Sequence, residues 1–211
     1  MNIRTSQFFH QYSKRFNEIY GNENNFLNKL INKYYRKSMR LRFEYVFRNL
    51  NDYNNSSVLD VGCGPGHYCI EAYKKGSSNI VGIDFAPNMI EIAKNKFTSE
   101  NIDIKYNFIV DDFIDYEFKD TFDYIIFMGF MDYISNPDQI IKKAIKLTNK
   151  KSFFSFPQKG GFLAFQRKIR YSYRCKLYYY SKRDIENLIN KYNIKYQIEE
   201  IERDYFVTIE K

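Results

Sequence analysis

What the chain lacks narrows its class before any motif is read. No run of 18 or more uncharged apolar residues occurs, so no membrane-spanning helix is expected, and the first residues lack the basic, apolar, small-residue order of a secretory signal. A cytoplasmic protein is the expectation. The three cysteines, Cys63, Cys69 and Cys175, are odd in number and lack paired zinc spacing, which argues against a disulfide framework or a structural metal. Cys63 and Cys69 are separated by five residues across a strand-to-helix turn, poor ligand geometry with no evident partners, so no metal site is expected. Internal repeats and low-complexity linkers are also missing. A length of 211 residues with 44% apolar content fits one domain with a proper core.

Acidic charge is scarce in two stretches. Counting Lys and Arg against Asp and Glu, residues 1–50 carry 10 against 3, 51–157 carry 11 against 15, 158–183 carry 8 against 0, and 184–211 carry 4 against 7. The formal net charge of +8 therefore comes from two segments that flank an acidic core. Such asymmetry points to a negatively charged partner, whether small anion, nucleic acid or lipid surface, or to a solvated basic surface.

From Ser57 onward, short β-branched or aromatic runs alternate with helical patterns, as in a doubly wound parallel sheet. Strands are predicted at 57–62, 79–85, 105–111, 122–128 and 152–156, and two more at 196–201 and 205–209. The last two leave no room for a helix between them and should pair antiparallel. Helices are predicted at 67–75, 87–97, 137–147 and 182–192, with Pro87 and Pro137 at first helical positions and Ser181 as a cap. The single domain thus divides into an N-terminal helical part (1–50), a core (57–157), an insertion (158–180) and a last helix with its strand pair (181–211). Met39, Phe43, Val46, Phe47 and Leu50 follow a helical period and should pack on the sheet, while Lys29, Lys33, Lys37, Arg36 and Arg40 give that helix a cationic side. Within the insertion, Phe162, Phe165, Ile169 and Tyr173 share one helical face and Arg167, Arg170 and Arg174 the other.

Chemistry concentrates at VLDVGCGPGH, residues 58–67. An apolar strand bearing Asp60 runs into Gly62, Gly64 and Gly66, which let the backbone turn sharply and approach a ligand closely before a helix begins. The glycines run GxGxG and not GxGxxG, which argues against a dinucleotide pyrophosphate loop. The next strand ends in GIDFAPNM, placing Asp84 beside the first loop, where a carboxylate can accept both hydroxyls of a ribose while Phe85 and Met89 cover an adenine face. Strand three closes on IVDDF. Strand four and its sequel read FDYIIFMGFMDYI, with Gly129 to Tyr133 at the carboxyl edge where open α/β sheets hold ligands.

These four motifs, in this order over about residues 57–134, resemble class I S-adenosylmethionine-dependent methyltransferases. The resemblance implies a Rossmann-like, mostly parallel seven-stranded sheet with an antiparallel last strand, an N-terminal helical lid and a helical cap insertion. It implies S-adenosylmethionine as cofactor, held by Asp60, Gly62, Cys63, Gly64, Gly66, Asp84, Phe85, Met89, Asp112, Phe113 and Met128. Asp112 with the Phe113 amide would read the adenine edge, and Asp111 could stand in for Asp112. An N-terminal stretch, FFHQYSKRFNEIYG, resembles the aromatic lid of several small-molecule members, magnesium-protoporphyrin O-methyltransferases among them, without assigning a substrate.

Methyl transfer from a sulfonium is an in-line displacement in which alignment and exclusion of water carry much of the catalysis. If the acceptor is a hydroxyl, Asp132, Tyr133, Tyr12, His10 or His67 could take its proton. Tyr12, Phe16 and Tyr20 share a helical spacing that fits lid and core equally. The acceptor expected is a small or glycan-like anionic molecule, held between lid and cap. A nucleic-acid acceptor is the second reading, supported by the aromatic-basic stretch FLAFQRKIRYSYRCKLYYY, though MGFMDY replaces the proline-aromatic tetrapeptide of base-methylating members. A donor-binding regulator without catalysis is the third. Oligomeric state is not read from the sequence.

Overall fold

A computed structural model of the chain describes residues 26–50, 53–160 and 176–211, with side chains from residue 37 onward. Helix α1 spans Phe26–Asn49. There follow β1 (Ser57–Val61), α2 (His67–Lys74), β2 (Asn79–Asp84), α3 (Pro87–Ser99), β3 (Lys105–Val110) and β4 (Phe122–Phe127). A 3₁₀ turn at Met131–Tyr133 leads to α4 (Pro137–Leu147), β5 (Thr148–Pro157) and α5 (Lys182–Ile189). A second 3₁₀ turn at Asn190–Tyr192 precedes β6 (Lys195–Ile201) and β7 (Asp204–Glu210).

The strands form one sheet in the order β3-β2-β1-β4-β5-β7-β6. The first five are mutually parallel, and β7 runs antiparallel to both neighbours. Alternation along the strands builds a core on each face. Leu59, Ile125, Phe154 and Val207 point into one, with α4 and α5 behind them. Val58, Ile126, Phe153 and Phe206 point into the other, covered by α1, α2 and α3. Helices on both faces of a mainly parallel sheet are the doubly wound, Rossmann-like arrangement expected.

Local chemistry fixes the element ends. Pro87 and Pro137 open α3 and α4, where a missing N–H costs nothing. Ser181 caps α5 in a full capping box, its Oγ accepting from the Asp184 amide at 3.2 Å while Asp184 Oδ2 accepts from the Ser181 amide at 2.8 Å. Two boundaries differ from the sequence reading by more than two residues. Strand β5 begins four residues earlier, at Thr148, because the exposed Asn149 and Lys150 lie at a register shift against β4 and face no core, so no apolar alternation marks them. The last helix stops at Ile189 and tightens into 3₁₀ before Asn193 turns left-handed.

A larger correction concerns α1. Met39 is 40% exposed, and the inward stripe runs through Ser38, Arg42, Val46 and Leu50. Acidic groups on the sheet set this rotation. Ser38 donates to Glu202 at 3.3 Å, Lys37 pairs with Glu202, and Arg42 pairs with Asp204 at 2.7 Å. The cationic side of α1 is accordingly compensated where it is described: Arg40 meets Glu44 and Arg48 meets Glu199. The side chains of Lys29, Lys33 and Arg36 lie outside the described residues, as do residues 1–25 of the expected lid and the 161–175 part of the cap. The described ends of the insertion are extended, Gln158 bridging Tyr180. No described helix is long and apolar enough to cross a membrane.

Candidate functional site

The strand order reverses between β1 and β4, and a crevice opens at the carboxyl edge there, the place where such sheets hold ligands. Immediately after β1 the chain is pinned to β2, the amides of Gly62 and Cys63 both donating to the Ile83 carbonyl at 2.8 and 3.2 Å. At Gly64 the backbone is left-handed, with φ +50°, and a Cβ there would meet nothing within 4 Å. The space it faces is open, not core. At Gly62, φ +68°, a Cβ would come to 3.0 Å from the Phe130 ring, so the residue after β1 must be bare for Phe130 to approach.

Asp84, the last residue of β2, stands across from this turn. Its Oδ2 accepts from the Gly64 amide and its Oδ1 from the Ala86 amide, each at 2.9 Å, so the carboxylate ties the glycine turn to the start of α3. Burial raises its pKa, and the two amides oppose that rise by favouring the charged form. Each oxygen retains a second lone pair for a ligand hydroxyl. Beyond β3, Asp112 closes a turn on itself: its Oδ1 accepts from the Ile114 amide at 3.0 Å, and its carbonyl accepts from the amides of Asp115 and Tyr116. Phe113 is buried behind that turn, ring edge to face against Phe127.

A cleft of about 550 Å³, counting its open mouth, runs between these groups. One end is walled by Asp84, Phe85, Asp111, Asp112 and Phe113, the other by Gly62, Gly129, Phe130, Tyr133 and Ile134. Of the residues named from sequence, Gly62, Asp84, Phe85, Asp112, Phe113 and Tyr133 therefore meet at one cleft, and Asp111 joins Asp112 there. Gly64 and Gly66 shape its floor turn. Met89 is buried on α3 and Met128 packs toward the α1–α3 face, neither on the cleft wall. The 3₁₀ turn sends Tyr133 to the cleft and buries Asp132, whose carbonyl accepts from the Tyr178 amide at 2.9 Å. His67 opens α2 outside the cleft wall, with desolvation first and Lys96 second holding its imidazole below the ordinary range. Tyr12 and His10 lie outside the described residues.

Beneath the turn sits an acidic and thiol cluster. Asp60 is 2% exposed and accepts from Cys69 Sγ at 3.5 Å. Burial, with the nearby Asp84 charge adding to it, pushes the Asp60 carboxyl up to about 7. The Cys63 and Cys69 thiols are driven well above their ordinary value, first by burial and then by Asp60, which keeps them protonated.

Two contacts escape a reading of the sequence. Arg42 reaches from α1 to the end of β4, its Nη1 at 3.0 Å from where a Gly129 Cβ would stand, while Nε and Nη2 hold Asp204 Oδ2 at 2.9 and 2.7 Å. A charged residue repeating at four-residue spacing with Ser38, Val46 and Leu50 is the signal available. Phe130 and Ile134 are the other omissions, and their apolar type gives no cue beyond membership of the segment after β4.

Comparison with known proteins places these features in context. A family model described as a methyltransferase domain matches residues 52–159. Over 91 residues the chain is 37% identical to EEF1A lysine methyltransferase 2 of Mus musculus, covering 42% of this chain and 37% of that protein. Over 125 residues it is 30% identical to magnesium-protoporphyrin O-methyltransferase of Rhodobacter capsulatus, covering 58% and 54%. The chain thus spans about half or less of the length of these curated relatives. Among solved structures, magnesium protoporphyrin IX methyltransferase from Synechocystis PCC 6803 with bound S-adenosylmethionine superposes with a TM-score of 0.74 at 16% identity, covering 100% of this chain and 98% of that one.

Proposed function

The chain belongs to the methyltransferase-domain family, with the class I fold, and from that premise we propose that it moves a methyl group from S-adenosylmethionine to a small or glycan-like anionic acceptor. The observation that carries the donor reading is the tie between Asp84 and the glycine turn, at a cleft whose wall Asp84 shares with Asp112 and Phe113. The chemistry of that wall fits the donor. Asp84 accepts the two ribose hydroxyls, Asp112 accepts from the exocyclic amine of adenine while the Phe113 amide donates to a ring nitrogen, and Phe85 covers the base. Gly64 leaves room where the methionine end passes the turn. When bound, the donor supplies an electrophilic methyl on a sulfonium. The chain's own part is to align, and Phe130 and Ile134 exclude water at the β4 end of the cleft. Tyr133 lines the cleft there and is our candidate to accept a proton from a hydroxyl acceptor.

The acceptor reading rests on charge. Acceptors named for the relatives range from lysine to magnesium protoporphyrin, so likeness does not select one. The described cations of α1 are engaged with Glu44, Glu199, Glu202 and Asp204. Segment 158–183, with 8 basic and no acidic residues, is the attractor we propose. Incubation with labelled donor and fractionated cell extract should put label on an anionic small molecule. Reversing Arg170 and Arg174 to Glu should then raise that acceptor's KM and flatten its salt dependence, with donor affinity unchanged. Label that stays on nuclease-sensitive material, or efficient turnover of a neutral acceptor, contradicts the anionic small-molecule reading.

A further inference from the structure

The turn that closes the adenine end of the cleft has its amides and carbonyls pointing in opposite directions. Its amides at Ile114, Asp115 and Tyr116 are gathered by the carboxylate and carbonyl of Asp112. Two of its carbonyls face α4, where Lys143 Nζ donates to the oxygens of Ile114 at 2.9 Å and Tyr116 at 2.6 Å. The same ammonium lies 5.3 Å from the Phe113 ring centre and 5.6 Å from that of Phe118, and those two rings pack 5.8 Å apart. Partial desolvation lowers the Lys143 pKa, and Glu117, Asp115 and Asp112 act against that, so the group remains a cation in its socket. One charged side chain therefore fixes the position of the backbone that carries both Asp112 and the Phe113 amide.

We propose that Lys143 is a positioning residue for nucleobase recognition: from outside the cleft it holds the 112–116 turn so that the Asp112 carboxylate and the Phe113 amide meet the adenine edge. This rests on the donor reading above. The physical basis is that two charge-assisted hydrogen bonds and two ring contacts converge on a segment with no strand or helix of its own. Without them the turn keeps the Asp112 bonds and the core packing of Phe113 but loses its polar tie to α4, which loosens the placement of the Asp112 carboxylate and the Phe113 amide. Lysine at this point leaves no trace in a sequence motif, because its partners are carbonyls, which every residue supplies.

The test compares S-adenosylhomocysteine with S-inosylhomocysteine by calorimetry. The hypoxanthine base reverses both hydrogen-bonding polarities that Asp112 and the Phe113 amide read. Wild type should prefer the adenine form by at least about tenfold, as sites built around hydrogen bonds do. Lys143→Met should lose about tenfold for the adenine form and change little for the hypoxanthine form, so discrimination collapses, while Lys143→Arg should keep most of it. Melting curves of the same proteins establish that they are folded at the temperature of titration. Equal weakening of both ligands in Lys143→Met, or unchanged discrimination, overturns the positioning role. If wild type binds S-adenosylhomocysteine but does not discriminate, adenine reading by Asp112 and Phe113 fails, and the proposal with it. If it binds neither, the donor reading itself is wrong.

Discussion

Asp60 stands at the end of β1 with its carboxyl raised from 3.8 to about 7, chiefly by burial. Between those two values the folded protein holds a proton that the unfolded chain releases, so stability falls as pH rises from about 4 to 7 and the loss is complete above 7. The loss is on the order of a few kcal/mol, because each tenfold difference in proton affinity between the folded and unfolded chain is worth about 1.4 kcal/mol. Asn at this position has the shape of the protonated acid and no such penalty. Asp60→Asn should therefore melt higher than wild type at pH 8 and much closer to it at pH 5, read by thermal unfolding at the two pH values. A stability difference that does not grow with pH would mean that Asp60 is not held protonated by the fold.

Among the elements, the joint between α1 and β7 centres on a buried ion pair. Arg42 and Asp204 are both buried, and the guanidinium binds one carboxylate oxygen through two nitrogens at 2.7 and 2.9 Å. The guanidinium edge against Gly129 links this joint to the cleft wall. Removing only the cation leaves a buried carboxylate uncompensated, which costs about 3–5 kcal/mol. Arg42→Met should lower the denaturant midpoint by that measure, and Arg42→Met with Asp204→Leu should recover much of it. If the double variant is as unstable as the single, packing and not charge compensation sets the joint's contribution. The helix rotation follows from the same pair. Sequence periodicity points Met39 inward because it is apolar, whereas acidic ends at Glu202 and Asp204 draw Ser38 and Arg42 to the sheet. The capping box at Ser181 and the prolines at 87 and 137 are legible because caps are local. The face of α1 is not, because its partners lie more than 160 residues along the chain.

At the scale of the whole molecule, the order of strands and helices is readable because alternation and glycine punctuation repeat through residues 57–157, and each feature depends on near neighbours. The cleft proposed to hold the donor is readable for the same reason: Gly62, Asp84, Asp112 and Phe113 each follow or end a strand, and the sheet brings strand ends together. What cannot be read is direction. Asp132 and Tyr133 are adjacent, and only the 3₁₀ turn decides that Tyr133 faces the cleft while Asp132 is buried. Lys143 is invisible because backbone carbonyls carry no identity.

The central claim is that one cleft, with Asp84 at its heart, holds S-adenosylmethionine. Calorimetric titration of S-adenosylmethionine into wild type and Asp84→Ala tests it most directly. Two hydroxyls bonded to a carboxylate are worth roughly 1.5–3 kcal/mol each, so the variant should bind at least about a hundredfold more weakly than wild type, whose own affinity should be micromolar. A donor analogue without the two ribose hydroxyls should be nearly insensitive to the substitution. Equal affinity of wild type and Asp84→Ala for S-adenosylmethionine would contradict the account.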